Sequence, residues 1–302
     1  MRVAIASGKG GAGKTTVTAS LAAVWDTPCV VADSDVEAPN LYLFLRPEIH
    51  AATPVYLEIP VLNTNKCTLC GACRDICRFK AIARFGKKLS LFGDMCHGCG
   101  GCFAVCPEGA LSAGQRRLGD LESGFIPGTG HAFLMVRARI GEAMTPPQLR
   151  ALRRSLDRML EEVPDGKQKA CKDALVDAPP GVSCPAMTVA RDVDVVLLVA
   201  EPTPFGIHDC KLAHQAFLSL AKPMAVVMNR TAMEGNFHGE EELRRYCEKH
   251  DLPVLAELPF SREVAEAYAA GQLIANLSPS WHNRFTMLRD ALRDFANQGG
   301  AA

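Results

Sequence analysis

The sequence lacks a net charge, a long apolar run and a leader-like N-terminus. Among 302 residues, 33 Lys and Arg balance 33 Asp and Glu, so no overall field attracts nucleic acid or anionic lipid. The longest apolar run, residues 193–200, contains Asp194 and falls far short of the about 18 residues that a membrane helix needs. The first residues, MRVAIASGKGG, run directly into glycines without the apolar core or cleavage site of a secretory leader. We therefore expect a cytoplasmic protein with neither a nucleic-acid nor a membrane partner.

Cysteine, in contrast, is abundant and unevenly placed. Eight of the 13 cysteines lie between Cys67 and Cys106. A disulfide scaffold would suit a small secreted chain, whereas clustering of this kind indicates a metal site. The remaining five are scattered, and we expect most of them to be small buried side chains: Cys29, Cys171, Cys184, Cys210 and Cys247.

Short runs of Val, Ile and Leu alternate with helical patterns, which predicts an α/β fold with a doubly wound, mostly parallel sheet. Strands are predicted at 3–6, 29–33, 174–177, 195–199, 224–228 and 254–258. Helices are predicted at 14–24, 147–160, 184–190, 207–220, 239–249, 261–270 and 281–296. Cysteines and glycines interrupt this alternation, which predicts a core in two parts, 1–60 and 114–302, around an inserted domain at 61–113. Residues 114–140 are predicted to be turn-rich, with one strand at 134–140.

A glycine-rich loop follows the first predicted strand and opens the first predicted helix. Residues 8–15, GKGGAGKT, match G-x-x-x-x-G-K-[ST], in which backbone N–H groups surround phosphate oxygens. Lys14 is expected to reach the outer phosphates, and Thr15 to bind Mg²⁺. The alternative is a glycine-rich turn with a chance lysine. The residues expected to bind nucleotide here are Gly8, Lys9, Gly10, Gly11, Ala12, Gly13, Lys14, Thr15 and Thr16.

The longer pattern K-G-G-x-G-K-T-T, which begins at Lys9, resembles the deviant Walker A motif of the MinD, ParA, Mrp and nitrogenase iron protein ATPases. The resemblance implies the P-loop NTPase fold, with ATP and Mg²⁺ as ligands. It also implies a homodimer that sandwiches ATP, in which Lys9 acts on the partner's nucleotide. The alternative is that Lys9 is a solvated loop residue.

Two acidic segments resemble the switch regions of the same family. Asp33 and Asp35 follow the second predicted strand and precede Pro-Asn-Leu. The resemblance implies that Asp33 supports the magnesium shell, while Asp35 orients the attacking water. We thus expect Lys9, Lys14 and Asp35 to be the catalytic residues. The alternative is a helix N-terminus with a charged first turn, and Asn40 and Glu37 fit a structural role equally well.

The second switch-like segment is Asp177-Ala-Pro-Pro-Gly181, which follows an apolar strand. The resemblance implies that Asp177 holds Mg²⁺ through water and that the Gly181 N–H faces the γ-phosphate. Asn229, at a later strand end, corresponds to the family's adenine-binding Asn, and Pro259 ends the next strand. The alternatives are a plain Pro-Gly turn for the first segment and an ordinary turn residue for Asn229.

The eight clustered cysteines form two runs of C-x₂-C-x₂-C-x₃-C, the second followed by Pro107. This spacing, twice over, resembles the bacterial ferredoxin that holds two 4Fe-4S clusters, and the inserted domain is therefore expected to be α+β and ferredoxin-like. Zinc is the alternative. The resemblance assigns Cys67, Cys70, Cys73 and Cys106 to one cluster, and Cys96, Cys99, Cys102 and Cys77 to the other.

Two features near these runs depart from that pattern or add to it. Arg78 stands where ferredoxins have Pro, and further basic residues follow it: Lys80, Arg84, Lys87 and Lys88. This positive charge either tunes a cluster or receives an acidic electron-transfer partner, or else forms a solvated face. His97 is predicted to be a surface residue rather than a ligand, because the set of cysteines is already complete.

The combination predicts a dimeric ATPase coupled to two 4Fe-4S clusters, with a redox or regulatory protein partner. One alternative is an iron–sulfur assembly or carrier protein of the Mrp type, although the late C-x₂-C pair of that branch is absent. A MinD-like positioning protein is the other, since the last predicted helix is amphipathic. Cys184, three residues after Gly181, is either a ligand at the dimer axis or a buried cysteine at a helix start with Ser183 as N-cap.

Overall fold

The computed structural model describes residues 1–161 and 171–299. The chain divides into two compact units. The first comprises Met1–Ala52, Leu121–Arg137 and Leu149–Ala302, and the second comprises Thr53–Asp120 and Ala138–Gln148. The predicted domain boundaries at 61 and 113 both lie within the first segment of the second unit.

The first unit carries most of the regular elements. The strands of the chain are β1 Arg2–Ala6, β2 Cys29–Asp33, β3 Glu48–Leu62, β4 Ile82–Phe85, β5 Lys88–Leu91, β6 Leu111–Ile126, β7 His131–Ala138, β8 Asp173–Asp177, β9 Val195–Ala200, β10 Met224–Thr231 and β11 Val254–Pro259. The helices are α1 Lys14–Val24, α2 Leu41–Leu45, α3 Ala72–Ile76, α4 Gly101–Ala104, α5 Thr145–Glu161, α6 Cys184–Arg191, α7 Pro204–Leu218, α8 Phe237–Lys249, α9 Arg262–Ala269 and α10 Pro279–Gly299. All six predicted core strands and all seven predicted helices are present within a few residues of their predicted bounds.

A nine-stranded sheet, ordered β11-β10-β9-β1-β8-β2-β7-β6-β3, organises the fold. Neighbours from β11 to β7 pair in parallel, which confirms the predicted α/β class. Strands β1, β2 and β9 are buried along nearly their whole length, because helices cover both faces of a parallel sheet. The parallel order brings the carboxyl ends of β1, β2 and β8 together at one edge.

The prediction that 114–140 is turn-rich was wrong, because most of this stretch lies in β6 and β7, which residues 127–130 join. The strand predicted at 134–140 corresponds to β7, which begins and ends slightly earlier. Strand β6 lies in the outer part of the sheet, so its exposed polar residues and glycines obscured the strand pattern. Gly124 has a packing role there: a Cβ atom would stand 1.9 Å from the Glu48 backbone oxygen. Glycine therefore permits close approach between two strands instead of marking a turn.

The last helix, α10, packs its apolar face into the core of the first unit. Phe285, Leu288 and Leu292 are fully buried and belong to one apolar cluster with residues of α1 and β1. This burial accounts for the amphipathic pattern of the helix. In the described part of the chain, no helix is long and apolar enough to cross a membrane.

The second unit holds all eight clustered cysteines. Strands β4 and β5 form an antiparallel hairpin, in which Ile82 pairs with Leu91 and Phe85 with Lys88. The short helices α3 and α4 follow glycines in the left-handed conformation, Gly71 at φ 89° and Gly100 at φ 76°. A small apolar cluster includes Cys73 together with Ile82, Leu89 and Leu111.

Candidate functional site

The loop between β1 and α1 is shaped by glycines that no other residue can replace. Gly13 has φ +99°, and a Cβ atom on it would stand 2.3 Å from Asn229 Nδ2. A Cβ atom on Gly8 would stand 2.0 Å from the Asp209 backbone oxygen. The conformation at Gly13 strains any L side chain, so the loop depends on glycine for both backbone shape and close packing.

A cavity of about 490 Å³ opens beside this loop in the first unit. Its polar end is lined by Gly10, Gly11, Gly13, Lys14, Thr15, Thr16, Asp35, Asn40, Asp177 and Asn229. Its apolar side is lined by Leu258, Pro259, Phe260, Val264, Tyr268, Ile274, Trp281 and Phe285. The cavity thus combines a glycine loop and charged groups with an aromatic wall, the layout of a site for a ligand with both phosphate and apolar parts.

Lys14 and Asp177 form the charged floor of the cavity. Burial lowers the pKa of Lys14, while the carboxylates of Asp177, Asp35 and Asp33 oppose that shift. Burial raises the pKa of Asp177, and the nearby charge of Asp33 raises it further. Asp177 accepts hydrogen bonds from Thr15 Oγ1 at 2.6 Å and from Thr18 Oγ1 at 3.3 Å. A buried carboxylate with a raised pKa gains most from an added cation, which suits Asp177 and Thr15 to Mg²⁺.

The two acids of the first switch-like segment have different environments. Asp33 is fully buried, and it accepts backbone N–H groups of Asp35 at 3.0 Å and of Asn40 and Leu41 at 2.9 Å. Its oxygens therefore fix the backbone of this segment, although burial raises the pKa of Asp33. Asp35 is partly exposed and lines the cavity. Of the two, Asp35 is the one placed beside the cavity.

Lys9 and Gly181 do not line the cavity in this structure. Lys9 is 37% exposed, and its Nζ lies 3.8 Å from Asp209 Oδ2 on α7. Gly181, at φ +79°, donates its N–H to the Ser7 carbonyl at 3.1 Å. The second switch-like turn is thereby tied to the glycine loop, and the Gly181 N–H is engaged within the chain.

Asn229 lines the cavity and also contacts the glycine loop. Its Nδ2 donates to the Ala12 carbonyl at 2.9 Å, and its Oδ1 accepts the Arg230 N–H at 3.0 Å. Pro259 stands on the apolar wall. Sequence reasoning missed the rest of that wall, which includes Tyr268 and Trp281. No local motif marks these side chains, because α9 and α10 bring them together from separate parts of the chain.

The described geometry agrees with comparison to known proteins. Residues 3–274 match the family described as the CobQ/CobB/MinD/ParA nucleotide binding domain. The chain belongs to this family. Two uncharacterized proteins of Methanocaldococcus jannaschii are each 26% identical to it, over 299 and 302 residues, with 98% of this chain and 97% of each relative covered.

The fold of this MinD/ParA-type chain is also found among solved structures. It is similar to the septum site-determining protein MinD complexed with Mg-ADP from Pyrococcus horikoshii, at a TM-score of 0.58 and 17% identity. The similarity covers 99% of this chain and 98% of that one. At this identity the similarity shows the fold alone.

The cysteines of the MinD/ParA-type chain line two separate cavities in the second unit. One is lined by Cys67, Cys70, Cys73 and Cys106 and has a volume of about 20 Å³. The other is lined by Cys77, Cys96, Cys99 and Cys102 and has a volume of about 60 Å³. Each cavity is thus lined by one complete predicted ligand set, including the fourth cysteine contributed by the other run.

The thiols surround these cavities without converging on a point. In residues 1–161 and 171–299, no group of three or more His, Cys, Asp or Glu side chains is placed to hold a single metal ion.

The backbone around the cysteines supplies donors to sulfur. Gly98 N–H donates to Cys96 Sγ at 3.4 Å, and Ala110 N–H donates to Cys106 Sγ at 3.2 Å. Burial raises the pKa of the Cys73 and Cys102 thiols. A bound cation favours the ionised form of these two thiols. N–H donors to a cysteine sulfur tune the reduction potential of a cluster that the sulfur binds.

The remaining sequence predictions near these sites have mixed outcomes. His97 is exposed, as predicted, and stacks on Phe79 with ring centroids 3.7 Å apart. The alternative that Cys184 is a buried cysteine at a helix start is wrong, because Cys184 is exposed. Ser183, the expected N-cap, makes no side-chain capping hydrogen bond. The turn preceding α6 lies at the protein surface, so the thiol of the first helical residue, Cys184, is not buried. Of the other scattered cysteines, Cys29, Cys210 and Cys247 are buried as predicted, and Cys171 is partly buried.

Proposed function

We propose that this chain is an ATP-hydrolysing dimeric switch whose turnover is coupled to two 4Fe-4S clusters held by the cysteines of an inserted domain at 61–113. The observation that carries the proposal is the pair of cavities, each lined by the four cysteines that the ferredoxin-like spacing groups together. If the eight cysteines were placed by chance, there would be no reason for the two cavities to divide them into these two sets. The nucleotide part rests on membership of a nucleotide-binding family and on the glycine-loop cavity.

In the nucleotide cavity each residue has a proposed task. Lys14 neutralises the outer phosphates, while Thr15 and Asp177 hold Mg²⁺. Asp33 supports the magnesium shell indirectly, by fixing the backbone of the first switch segment. Asp35 orients the attacking water.

The other proposed nucleotide contacts require the nucleotide-bound dimer. Lys9 leaves Asp209 and reaches the partner's nucleotide. The Gly181 N–H leaves the Ser7 carbonyl for the γ-phosphate, a rearrangement of the kind that nucleotide switches undergo. Asn229 and Pro259 border the base, and Asn229 also steadies the loop through Ala12.

In the second unit, the proposed ligands of the first cluster are Cys67, Cys70, Cys73 and Cys106, and those of the second are Cys96, Cys99, Cys102 and Cys77. A bound 4Fe-4S cluster supplies one-electron transfer. The N–H groups of Gly98 and Ala110 stabilise negative charge on the sulfur atoms that they contact.

Chain connectivity supports coupling between the two kinds of site. The second unit begins at Thr53, shortly after the first switch segment, and its last segment ends at Gln148, before the second switch segment. A rearrangement of either switch segment therefore acts on a chain that runs into the cysteine unit. Coupling between sites is reciprocal in free energy, so the cluster oxidation state should alter nucleotide binding as nucleotide alters the cluster potential.

ATP turnover by one anaerobic preparation, measured with the clusters oxidised and then reduced, tests the coupling. We expect rates or ATP affinities that differ about 5-fold or more, the lower range of typical coupling energies. The variant Lys249→Ala, changed at an exposed site of the first unit, is the matched control and should show the same ratio. Equal rates and affinities in both redox states would show that the two sites are independent.

A MinD-like positioning role is the second candidate, and the shared fold favours it. Membrane docking through α10 does not follow from that fold, since the apolar face of α10 lies in the core. A Mrp-type cluster carrier would hold its cluster on a late C-x₂-C pair, which this sequence lacks.

A further inference from the structure

The first half of the cysteine-rich stretch is strongly basic. Residues 66–91, here termed the basic segment, carry seven Lys or Arg side chains and a single acidic one, Asp75, in a chain of zero net charge. The seven are Lys66, Arg74, Arg78, Lys80, Arg84, Lys87 and Lys88, and all are exposed. Residues 92–110 contain Asp94 and Glu108 but neither Lys nor Arg. The positive charge is therefore confined to one half of the stretch.

The basic segment borders both cysteine cavities. Arg84 Nη1 donates to the Leu69 carbonyl at 3.0 Å, and Leu69 lines the cavity of the first cysteine set. Phe79 lies between Arg78 and Lys80 in sequence and lines the cavity of the second set. Each set also includes one exposed cysteine, Cys70 in the first and Cys99 in the second.

Exposed apolar side chains are interspersed with these charges. Ile76 is 46% exposed, Phe79 39% and Phe85 63%. Aromatic and Arg side chains together are typical of protein-binding surfaces, whereas a nucleic-acid backbone would leave the apolar groups unburied. Positive charge beside apolar contacts is complementary to a negatively charged protein surface.

Resting on the proposed function, we propose that the basic segment docks an acidic electron-carrier protein, which exchanges single electrons with the clusters held by the neighbouring cysteines. The reduced carrier loses one electron and the cysteine-bound cluster gains one, with no bond made or broken. Charge attraction guides the encounter, and Ile76, Phe79 and Phe85 provide the apolar contact. The side chains that steer the carrier thus lie next to the cavities that receive the electron.

The test uses charge reversal on the full-length holoprotein. In the test variant, Lys80, Lys87 and Lys88 are all changed to Glu. In the matched control, three exposed basic residues of the first unit are changed to Glu: Arg245, Lys249 and Arg262. Both variants undergo the same change in net charge. The probe is a purified, strongly acidic flavodoxin. Its second-order rate of electron transfer is measured by anaerobic stopped flow, and its affinity by titration.

At low ionic strength, we expect the first variant to lose about 10-fold or more in both rate and affinity. The control should stay within about 2-fold, and the difference should fade near 1 M salt, where the Debye length is about 3 Å. Reduction by a small zwitterionic viologen should be equal in all three proteins, because it needs no charged docking site.

Iron content, measured first, separates this proposal from the function on which it rests. Normal iron with equal flavodoxin rates in both variants would overturn the docking proposal alone, as would an equal loss in the control. Tight, charge-dependent binding of duplex DNA with unchanged electron transfer would assign the basic segment to nucleic acid and overturn it as well. A protein without iron would overturn the cluster proposal and the docking proposal together.

Discussion

Lys14→Ala is expected to weaken ATP binding about 100-fold and to abolish turnover. The Lys14 ammonium is buried at the floor of the cavity, where the carboxylates of Asp177, Asp35 and Asp33 surround it. Removing it leaves the carboxylates of Asp35 and Asp177 beside the phosphates with no fixed cation. Hydrogen bonds to charged groups contribute about 1.5–3 kcal/mol each, and the loss of one or two accounts for the expected effect.

Titration with a fluorescent ATP analogue measures this loss, and circular dichroism checks that the variant is folded. Lys249→Ala, at an exposed position, is the control and should bind like the unaltered protein. An affinity for ATP within about 3-fold of normal in Lys14→Ala would remove this lysine from the phosphate site.

Asp35→Ala should instead retain ATP and lose hydrolysis. Asp35 lines the cavity and is partly exposed, while the oxygens of Asp33 are taken up by backbone N–H groups. A group that orients water acts in the transition state and contributes little to ground-state binding. We expect kcat to fall about 100-fold, with ATP affinity within about 3-fold and a longer-lived ATP-bound dimer.

Steady-state kinetics, ATP titration and size-exclusion chromatography with ATP separate these effects. The neighbouring acid Glu37 is exposed, so Glu37→Ala is a matched control that should leave kcat unchanged. Normal turnover in Asp35→Ala would show that another residue, or water alone, performs this task.

Sequence reasoning succeeded where the physical constraint is local. Parallel strands buried on both faces must be apolar throughout, and β1, β8 and β9 could therefore be predicted from their runs of Val, Ile and Leu. The glycine loop was equally recognisable, because its conformation restricts residue type at Gly13. The resemblance to bacterial ferredoxin grouped the cysteines into the same two sets that line the two cavities.

The features that could not be predicted from the sequence depend on contacts between residues that lie far apart along the chain. Strand β6 carries many polar residues, so neither alternation nor an apolar run marked it. The edge strand β3 contains Pro54 and Pro60, which argue against a strand when only the sequence is known. The different environments of Asp33 and Asp35 depend on how one turn of backbone closes over Asp33. The exposure of Cys184 depends on the direction in which the turn before α6 faces.

Iron and sulfide analysis of anaerobically purified protein tests the central claim most directly. The account predicts about eight iron and eight sulfide per chain, from two 4Fe-4S clusters. Cys67→Ser should lose about half of the iron, whereas Cys184→Ser, changed at an exposed cysteine outside both cavities, should keep all of it. Zinc at full occupancy in place of iron, or an iron content that Cys67→Ser leaves unchanged, would contradict the account.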